Sequence, residues 1–346
     1  MNARNVRYSG NTAELNAPVI VSVLLNDICN LRCQTCYLEN MNEQSSLSRE
    51  EWNNFFESLF GDLKPNATVF VGKEIFAKDE SVETMFDALK QRDRLQASKI
   101  TDIGVITNGT LLQRYRNRLE GSSLDWIDIS IDGPREFNDK IRGEGSYSKL
   151  ERNLDWISKA FQGDRLWVVP TLCDANASQI AQMIEDLNKT YGISHYSIGL
   201  YKHRSSAPDL FSVGDSEVRR FVNDLSRIEI IHPTKVVLGY KADNPDSYSE
   251  IFNLPDSDGE TVTTKQIDLG NSISLDIQRN NRNMGLWRAV RISSEGDWLA
   301  AEDLFDHLNY KQNAVTNLRD VRYDARKAYE IGLRSPRARS LGFVQL

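Results

Sequence analysis

The sequence predicts an α/β fold built on a parallel sheet, and three observations carry that reading. Short β-branched runs alternate with segments of helically spaced apolar residues across residues 17–230. Six such runs occur, which implies parallel pairing through right-handed crossovers. The polar loops fall at the C-terminal ends of the runs, where α/β folds carry their chemistry. An open doubly wound sheet and a partial barrel both satisfy this pattern, and periodicity does not choose between them.

The first strand is "APVIVSVLLN" (17–26), followed by a loop holding three cysteines. "LSREEWNNFFESLF" then has Ser48 and Glu51 at capping-box spacing, with Trp52, Phe55, Phe56 and Leu59 recurring at helical period. "NATVFVGKE" (66–74) reads as the second strand, and Val82, Met85, Phe86 and Leu89 mark the helix after it. "DIGVITNG" (102–109), "WIDISIDG" (126–133), "RLWVVPTL" (165–172) and "HYSIGLY" (195–201) complete the strand set. Helical faces recur at Leu150, Leu154 and Ile157, at Ile180, Met183, Ile184 and Leu187, and at Val218, Phe221, Val222 and Leu225. The rhythm breaks near residue 230. Residues 239–260, rich in Asp, Asn, Ser and Pro, read as a long loop. "LWRAVRISSEGDWLA" reads as two short strands joined by a turn, and "VRYDARKAYEIG" as a helix. The chain therefore divides into an N-terminal extension (1–16), a large α/β domain (17–230) and a small C-terminal α+β appendage (231–346).

Composition narrows the function. The 346 residues are 40% hydrophobic and 26% charged, an ordinary globular balance. A net charge of −7 argues against a nucleic-acid partner, which selects a basic face. No apolar run is long enough to span a bilayer, and the first residues lack a signal-peptide core. The expectation is a cytoplasmic protein with reduced thiols and no membrane partner.

Against that background the clustering of thiols stands out. Of four cysteines, Cys29, Cys33 and Cys36 fall within "CNLRCQTC". A structural zinc site closes with four ligands, so Cys173 or one of His195, His203, His232 and His307 would have to complete it. A cubane iron–sulfur cluster can be held by three cysteines, leaving one iron for a non-protein ligand. Spacing favours the cluster over zinc, and buried inert thiols do not suit a polar loop.

"CNLRCQTCY" after the first strand resembles the signature of the radical S-adenosylmethionine (radical SAM) enzymes. That resemblance implies a partial (β/α)6 barrel and one [4Fe-4S] cluster on Cys29, Cys33 and Cys36. It also implies S-adenosylmethionine bound at the open iron and a reductase, flavodoxin or ferredoxin as electron donor. "VGKE" is similar to the family's Gly-Gly-Glu motif. It puts Gly72, Lys73 and Glu74 at the methionyl amine, with lysine where the second glycine stands in the family. "ITNG" implies Thr107 and Asn108 near the cofactor. "DISIDGPREFNDKIRG" resembles the peptide-modifying branch with SPASM or twitch appendages. There Ser130 and Arg142 would hold the methionyl carboxylate, and Asp132 would lie near the ribose. The family's aromatic before the third cysteine is Thr35 here, and Tyr37 follows instead, so these two are assigned to adenine. The C-terminal region resembles a degenerate twitch/SPASM hairpin around Glu295-Gly296-Asp297. Ala301 stands where a cluster cysteine is expected, and no cysteine follows Cys173, so the resemblance implies a single-cluster enzyme.

Strand ends also nominate Cys173 as a hydrogen-atom donor, and Tyr201 and His203 as pocket residues, each set against a packing role. Trp287 and Trp298 are weighed as substrate contacts or as packing under the appendage. Three function classes follow. The first is modification of a ribosomally made peptide or protein by crosslinking, oxidation or epimerisation. The second is chemistry on a small metabolite such as a sugar, aminocyclitol or nucleotide. The third is a catalytically inactive relative kept for binding.

Overall fold

In the computed structural model, which describes residues 20–36, 38, 46–96, 100–201, 211–239, 264–278, 289–300 and 314–334, the β-branched runs form strands where the periodicity puts them. They are β1 (Ile20–Leu24), β2 (Ala67–Val71), β3 (Asp102–Thr107) and β4 (Trp126–Ile129). The fifth run is not one strand: Pro170 has no N–H for the ladder, and it divides β5 (Leu166–Val168) from β6 (Thr171–Leu172). The sixth run is β7 (His195–Leu200).

Strands β1, β2, β3, β4, β5 and β7 lie side by side in chain order, each parallel to the next. A doubly wound sheet reverses its order at a switch point. Unbroken sequential order is that of a barrel wall, so the fold is a partial (β/α)6 barrel.

The helices cover the outer face. The main ones are α1 (Arg49–Ser58), α2 (Asp79–Leu95), α3 (Arg116–Glu120), α4 (Arg135–Arg142), α5 (Ser146–Ala160), α6 (Gln179–Tyr191) and α7 (Asp215–Leu225). The capping box forms in full at α1: Glu51 N–H donates to Ser48 Oγ at 3.2 Å, and Ser48 N–H to Glu51 Oε2 at 2.8 Å. Val21, Val23, Phe70, Ile103, Val105, Ile127 and Ile129 meet the helices' apolar faces in one core.

After residue 230 the sheet continues, which the sequence reading missed. Strand β8 (Thr234–Gly239) runs parallel to β7, followed by the antiparallel pair β9 (Thr264–Asp268) and β10 (Ile273–Gln278), with β10 parallel to β8. Polar residues such as Lys235, Ser274 and Asp276 alternate with apolar ones in these strands, so the continuous apolar run of a buried parallel strand is missing. The expected loop over 240–260 lies outside the described residues. On the other edge, β11 (Ala289–Ile292) joins β1 in parallel, β12 (Asp297–Ala300) pairs back on it, and β13 (Thr316–Asn317) follows. The expected hairpin is therefore present, with Gly296 at φ +90° in its turn. Trp298 is fully buried and packs edge-on against Phe55, centroids 6.4 Å apart; Trp287 and Ala301 lie outside the described residues. The last helix, α8 (Ala325–Arg334), forms as read. Arg319 Nε and Tyr323 OH donate to Glu51 at 2.7 and 2.6 Å, tying this segment to α1 and holding the Glu51 carboxyl down to about 2.

The inner face differs between its two halves. On the β1–β4 side, Leu24, Val69, Val71 and Trp126 pack with Leu38 and Leu299, and Cys36 borders this cluster. On the β7–β10 side the alternation puts His195, Ser197, Lys235 and Asp276 inward, because Tyr196, Ile198, Val236 and Leu275 belong to the outer core. Gly104 sets the apolar half: a Cβ there would lie 1.9 Å from Trp126 Cε2. Gly104→Ala is expected to cost about 1–3 kcal/mol through overpacking, read as a lower urea midpoint at unchanged slope.

Candidate active site

The cysteine loop is fastened at both ends before any ligand is considered. Asn26 opens it with an Asx turn, accepting from Ile28 N–H at 3.0 Å, while its Nδ2 donates to Ser81 Oγ at 2.9 Å and Glu74 O at 3.2 Å. Gln34 N–H donates to Ile141 O at 2.9 Å, docking the loop on the end of α4 that carries Arg142. Asn108 Nδ2 donates to Asn30 Oδ1 at 3.0 Å and reaches Cys29 Sγ at 3.9 Å; Leu31 N–H points at the same sulfur at 3.3 Å.

These ties gather Cys29, Cys33 and Cys36 around one cavity of about 160 Å³. Its wall includes Thr35, Gly72, Lys73, Thr107, Asn108, Ser130 and Arg142, so most residues nominated at the strand ends meet there. Leu31, Val169 and Thr171 also line it and were not anticipated. Tyr37 and His203 lie outside the described residues. Gly72 is required by a close approach, since a Cβ would sit 3.1 Å from Asn26 O.

Two carboxylates stand behind the wall. Glu74 is 1% exposed; its Oε1 accepts from Phe76 N–H (3.1 Å) and Thr107 Oγ1 (2.8 Å), its Oε2 from Asn108 N–H (2.8 Å). Burial pushes its carboxyl up while these donors oppose the shift. Glu74 thus bolts the end of β2 to the end of β3. Asp132 is equally buried; its Oδ1 accepts from Thr171 N–H at 2.8 Å, and its Oδ2 lies 2.8 Å from Arg142 Nε. Among the described residues neither Asp132 Oδ2 nor Arg142 Nε makes a well-aligned hydrogen bond, although the two lie within reach of one another. The pair is electrostatic and leaves directional capacity on a guanidinium that lines the cavity.

Cys173 and Tyr201 do not line the cavity. Cys173 is fully buried with Ile141, Tyr201 and Phe211, and burial pushes its thiol up to about 11. Tyr201 meets Phe211 edge-on at 5.7 Å.

Glu74→Gln tests the bolt. An amide must turn its NH2 toward one of the present donors, leaving that donor unsatisfied in the interior. A loss of about 1–3 kcal/mol is expected, with faster hydrogen exchange at the Asn108 amide.

The donor set suits a cubane better than a single ion. Among the described residues no three His, Cys, Asp or Glu side chains converge as ligands of one metal ion. A cubane takes one thiolate at each of three corners, so its ligands surround a volume, as these three do. Burial pushes the Cys33 thiol up to about 11 and the Cys29 thiol up as well, with the Arg142 charge opposing the shift at Cys33. Protons must leave these thiols when metal binds.

Residues 23–187 match the model of the radical SAM superfamily. That stretch is a radical SAM domain. Radical SAM enzymes use a [4Fe-4S] cluster and S-adenosylmethionine, and the three-cysteine cavity fits that pairing. Curated radical SAM relatives match part of the chain. Fe-coproporphyrin III synthase of Methanosarcina barkeri is 31% identical over 130 residues, 36% of this chain and 30% of that protein. GTP 3′,8-cyclase of Microcystis aeruginosa is 31% identical over 145 residues, 40% of this chain and 42% of that protein. The chain thus matches less than half of either relative's length. Among solved structures, anSMEcpe with bound AdoMet superposes at TM-score 0.65 and 13% identity, over 94% of this chain and 83% of that one. Streptococcus suis SuiB bound to its precursor peptide SuiA superposes at 0.63 and 15%, over 93% and 67%. At such identities the likeness is one of fold. No helix among the described residues is long and apolar enough to cross a membrane.

Proposed function

We propose that this radical SAM protein holds one [4Fe-4S] cluster on Cys29, Cys33 and Cys36 and modifies a ribosomally made peptide or protein by crosslinking, oxidation or epimerisation. The single observation that carries the chemistry is the shared cavity: three thiols opposite Ser130 and Arg142 on one wall. When bound, the cluster and S-adenosylmethionine together supply the 5′-deoxyadenosyl radical that takes hydrogen from the substrate.

The chain's own residues do the positioning. Arg142 pairs with the methionyl carboxylate through the donors that Asp132 leaves unengaged, and Ser130 Oγ adds a second donor. The backbone at Gly72 and Lys73 faces the methionyl amine, braced from behind by Glu74. Thr35, on the cavity wall, would stand on the adenine side. Leu38 and Val71 line the cavity with the thiols and exclude water from that side. Reducing equivalents come from a flavodoxin, ferredoxin or reductase.

The peptide reading rests on the β4–α4 segment "DISIDGPREFNDKIRG" and on the likeness, over more than nine-tenths of this chain, to SuiB, solved with its precursor peptide. In this reading the β11–β12 hairpin is a SPASM-type scaffold without cluster ligands. A second reading, chemistry on a small metabolite, is favoured by the lack of any cysteine after Cys173 and by the similarity to GTP 3′,8-cyclase. Short peptides encoded beside the gene, and separately sugars and nucleotides, are incubated in D2O with reduced holoenzyme and S-adenosylmethionine. The proposal expects a peptide product that loses hydrogen or gains solvent deuterium. Turnover of a sugar or nucleotide with no peptide change overturns it in favour of the second reading.

A further inference from the structure

The inner face of β7, β8 and β10 forms a second recessed surface that the cofactor does not account for. Gly199 on β7 and Gly239 on β8 both fall on the inward side of the alternation, one residue past the paired Ile198 and Leu238. Two neighbouring strands therefore carry no side chain at the same level. Among the described residues a Cβ at Gly239 would meet nothing within 4 Å, and one at Gly199 only Pro170 O at 3.8 Å. The notch adjoins the cysteine cavity directly, because Gly199 is the register partner of Thr171, which lines that cavity.

Its floor is polar. One layer down, Ser197 is opposite Val237 and Val237 opposite Asp276. Lys235 reaches Asp276 Oδ2 with its ammonium at 3.2 Å, their side chains 31% and 11% exposed. From Gly199 to Asp276 is two strand spacings across and two residues along, about 12 Å. A group resting in the notch thus meets this pair at one end and the cofactor cavity at the other.

We infer that the notch between Gly199 and Gly239 is a substrate subsite that anchors a neutral group able to both donate and accept hydrogen bonds, a hydroxyl or carboxamide, on the Lys235–Asp276 pair. This rests on the proposed radical SAM reading of the adjoining cavity. An ammonium beside a carboxylate presents a donor and an acceptor a few ångströms apart, which a hydroxyl or carboxamide satisfies together. A singly charged ligand would have to compete with one partner for the other, uncoupling a half-buried pair. An apolar group would desolvate both charges with nothing in return. The opposite half of the inner face is largely apolar beside Cys36, and Asp128 there accepts from Trp126 Nε1 at 3.4 Å. The subsite chemistry is therefore the same for a Ser, Thr, Asn or Gln side chain of a peptide and for a free polyol.

The test uses cluster-loaded protein, with and without S-adenosylmethionine, and ligand-observed NMR on three probes: N-acetylserinamide, myo-inositol and toluene, which has no hydrogen-bonding group. At least one hydroxyl probe is expected to bind, the serinamide if the anchor is a residue and the inositol if it is a free polyol; toluene is expected not to bind. Gly239→Val, which fills the notch, and the Lys235→Met/Asp276→Leu pair, which removes the anchor without orphaning a charge, should each weaken the hydroxyl probe about tenfold or more. S-adenosylmethionine affinity should hold within about twofold, a smaller change than one lost hydrogen bond produces. Toluene binding as well as the hydroxyl probes overturns the inference, as does failure of both hydroxyl probes or unchanged binding in both variants. Failure of the wild type to bind S-adenosylmethionine strikes the cofactor reading instead, while the probe titration without it still judges the subsite.

Discussion

Cys33→Ala is expected to abolish iron binding by the anaerobically reconstituted protein, as are Cys29→Ala and Cys36→Ala, while Cys173→Ala should leave the iron content unchanged. Wild type is expected to take up about four irons and four sulfides, because three thiolates suit one cubane and the chain has no second set. The asymmetry follows from position. The first three cysteines line one cavity, and Cys173 is enclosed with Ile141, Tyr201 and Phe211. A cubane that loses one of its three protein corners is not replaced by a neighbour, since the nearby carboxylates Glu74 and Asp132 are committed to protein donors. Iron and sulfide analysis with the visible absorption of the cluster reads the outcome. Retention of iron in Cys33→Ala, or a wild type that loads zinc alone or about eight irons, contradicts it.

Arg142→Met has two separable effects. It strands Asp132 Oδ2, which has no other partner among the described residues and belongs to a residue 1% exposed, so the apoprotein is expected to lose about 3–5 kcal/mol. It also removes the cation facing the methionyl carboxylate. Charge-assisted hydrogen bonds contribute about 1.5–3 kcal/mol, which corresponds to a roughly ten- to hundredfold loss of S-adenosylmethionine affinity. The double variant Arg142→Met/Asp132→Asn separates them. Neutralising Asp132 should recover much of the stability in a urea titration, yet none of the affinity in calorimetry. Affinity that returns with stability would make Arg142 only a structural partner of Asp132.

Much of this site was legible in the sequence because its residues sit at strand ends, and strand ends follow from β-branched runs. Cys29, Gly72, Asn108 and Ser130 each come within a few residues of such an end, so parallel pairing gathers them. The capping box at Ser48 and Glu51 was equally readable, being a local pattern with a local cause. What escaped depended on partners far along the chain. Glu74 reads as a cofactor ligand from its motif, yet its carboxylate accepts from Thr107 and Asn108, 33 and 34 residues away. Asn26 and Asn30 fasten the cysteine loop; their Asx-turn chemistry was a usable signal, outshone by the cysteines beside them. Pro170 inside "RLWVVPTL" was a visible break, since proline cannot serve a ladder. Strands β8 to β10 were hidden by the polar residues that alternate through them, such as Lys235 and Asp276. Their polar inner face, which removes the hydrophobic run of a buried parallel strand, is also what makes the notch beside Thr171.

The account's central claim is that the three-cysteine cavity and the Ser130–Arg142 wall work as one site. The most direct measurement is the formation of 5′-deoxyadenosine and methionine from S-adenosylmethionine by cluster-loaded protein given a strong reductant, followed by chromatography. Both products should appear in equal amounts with wild type, be absent with Cys33→Ala, and fall steeply with Arg142→Met at limiting S-adenosylmethionine. Protein that carries its full cluster and binds S-adenosylmethionine, yet forms neither product under reduction, would contradict the account.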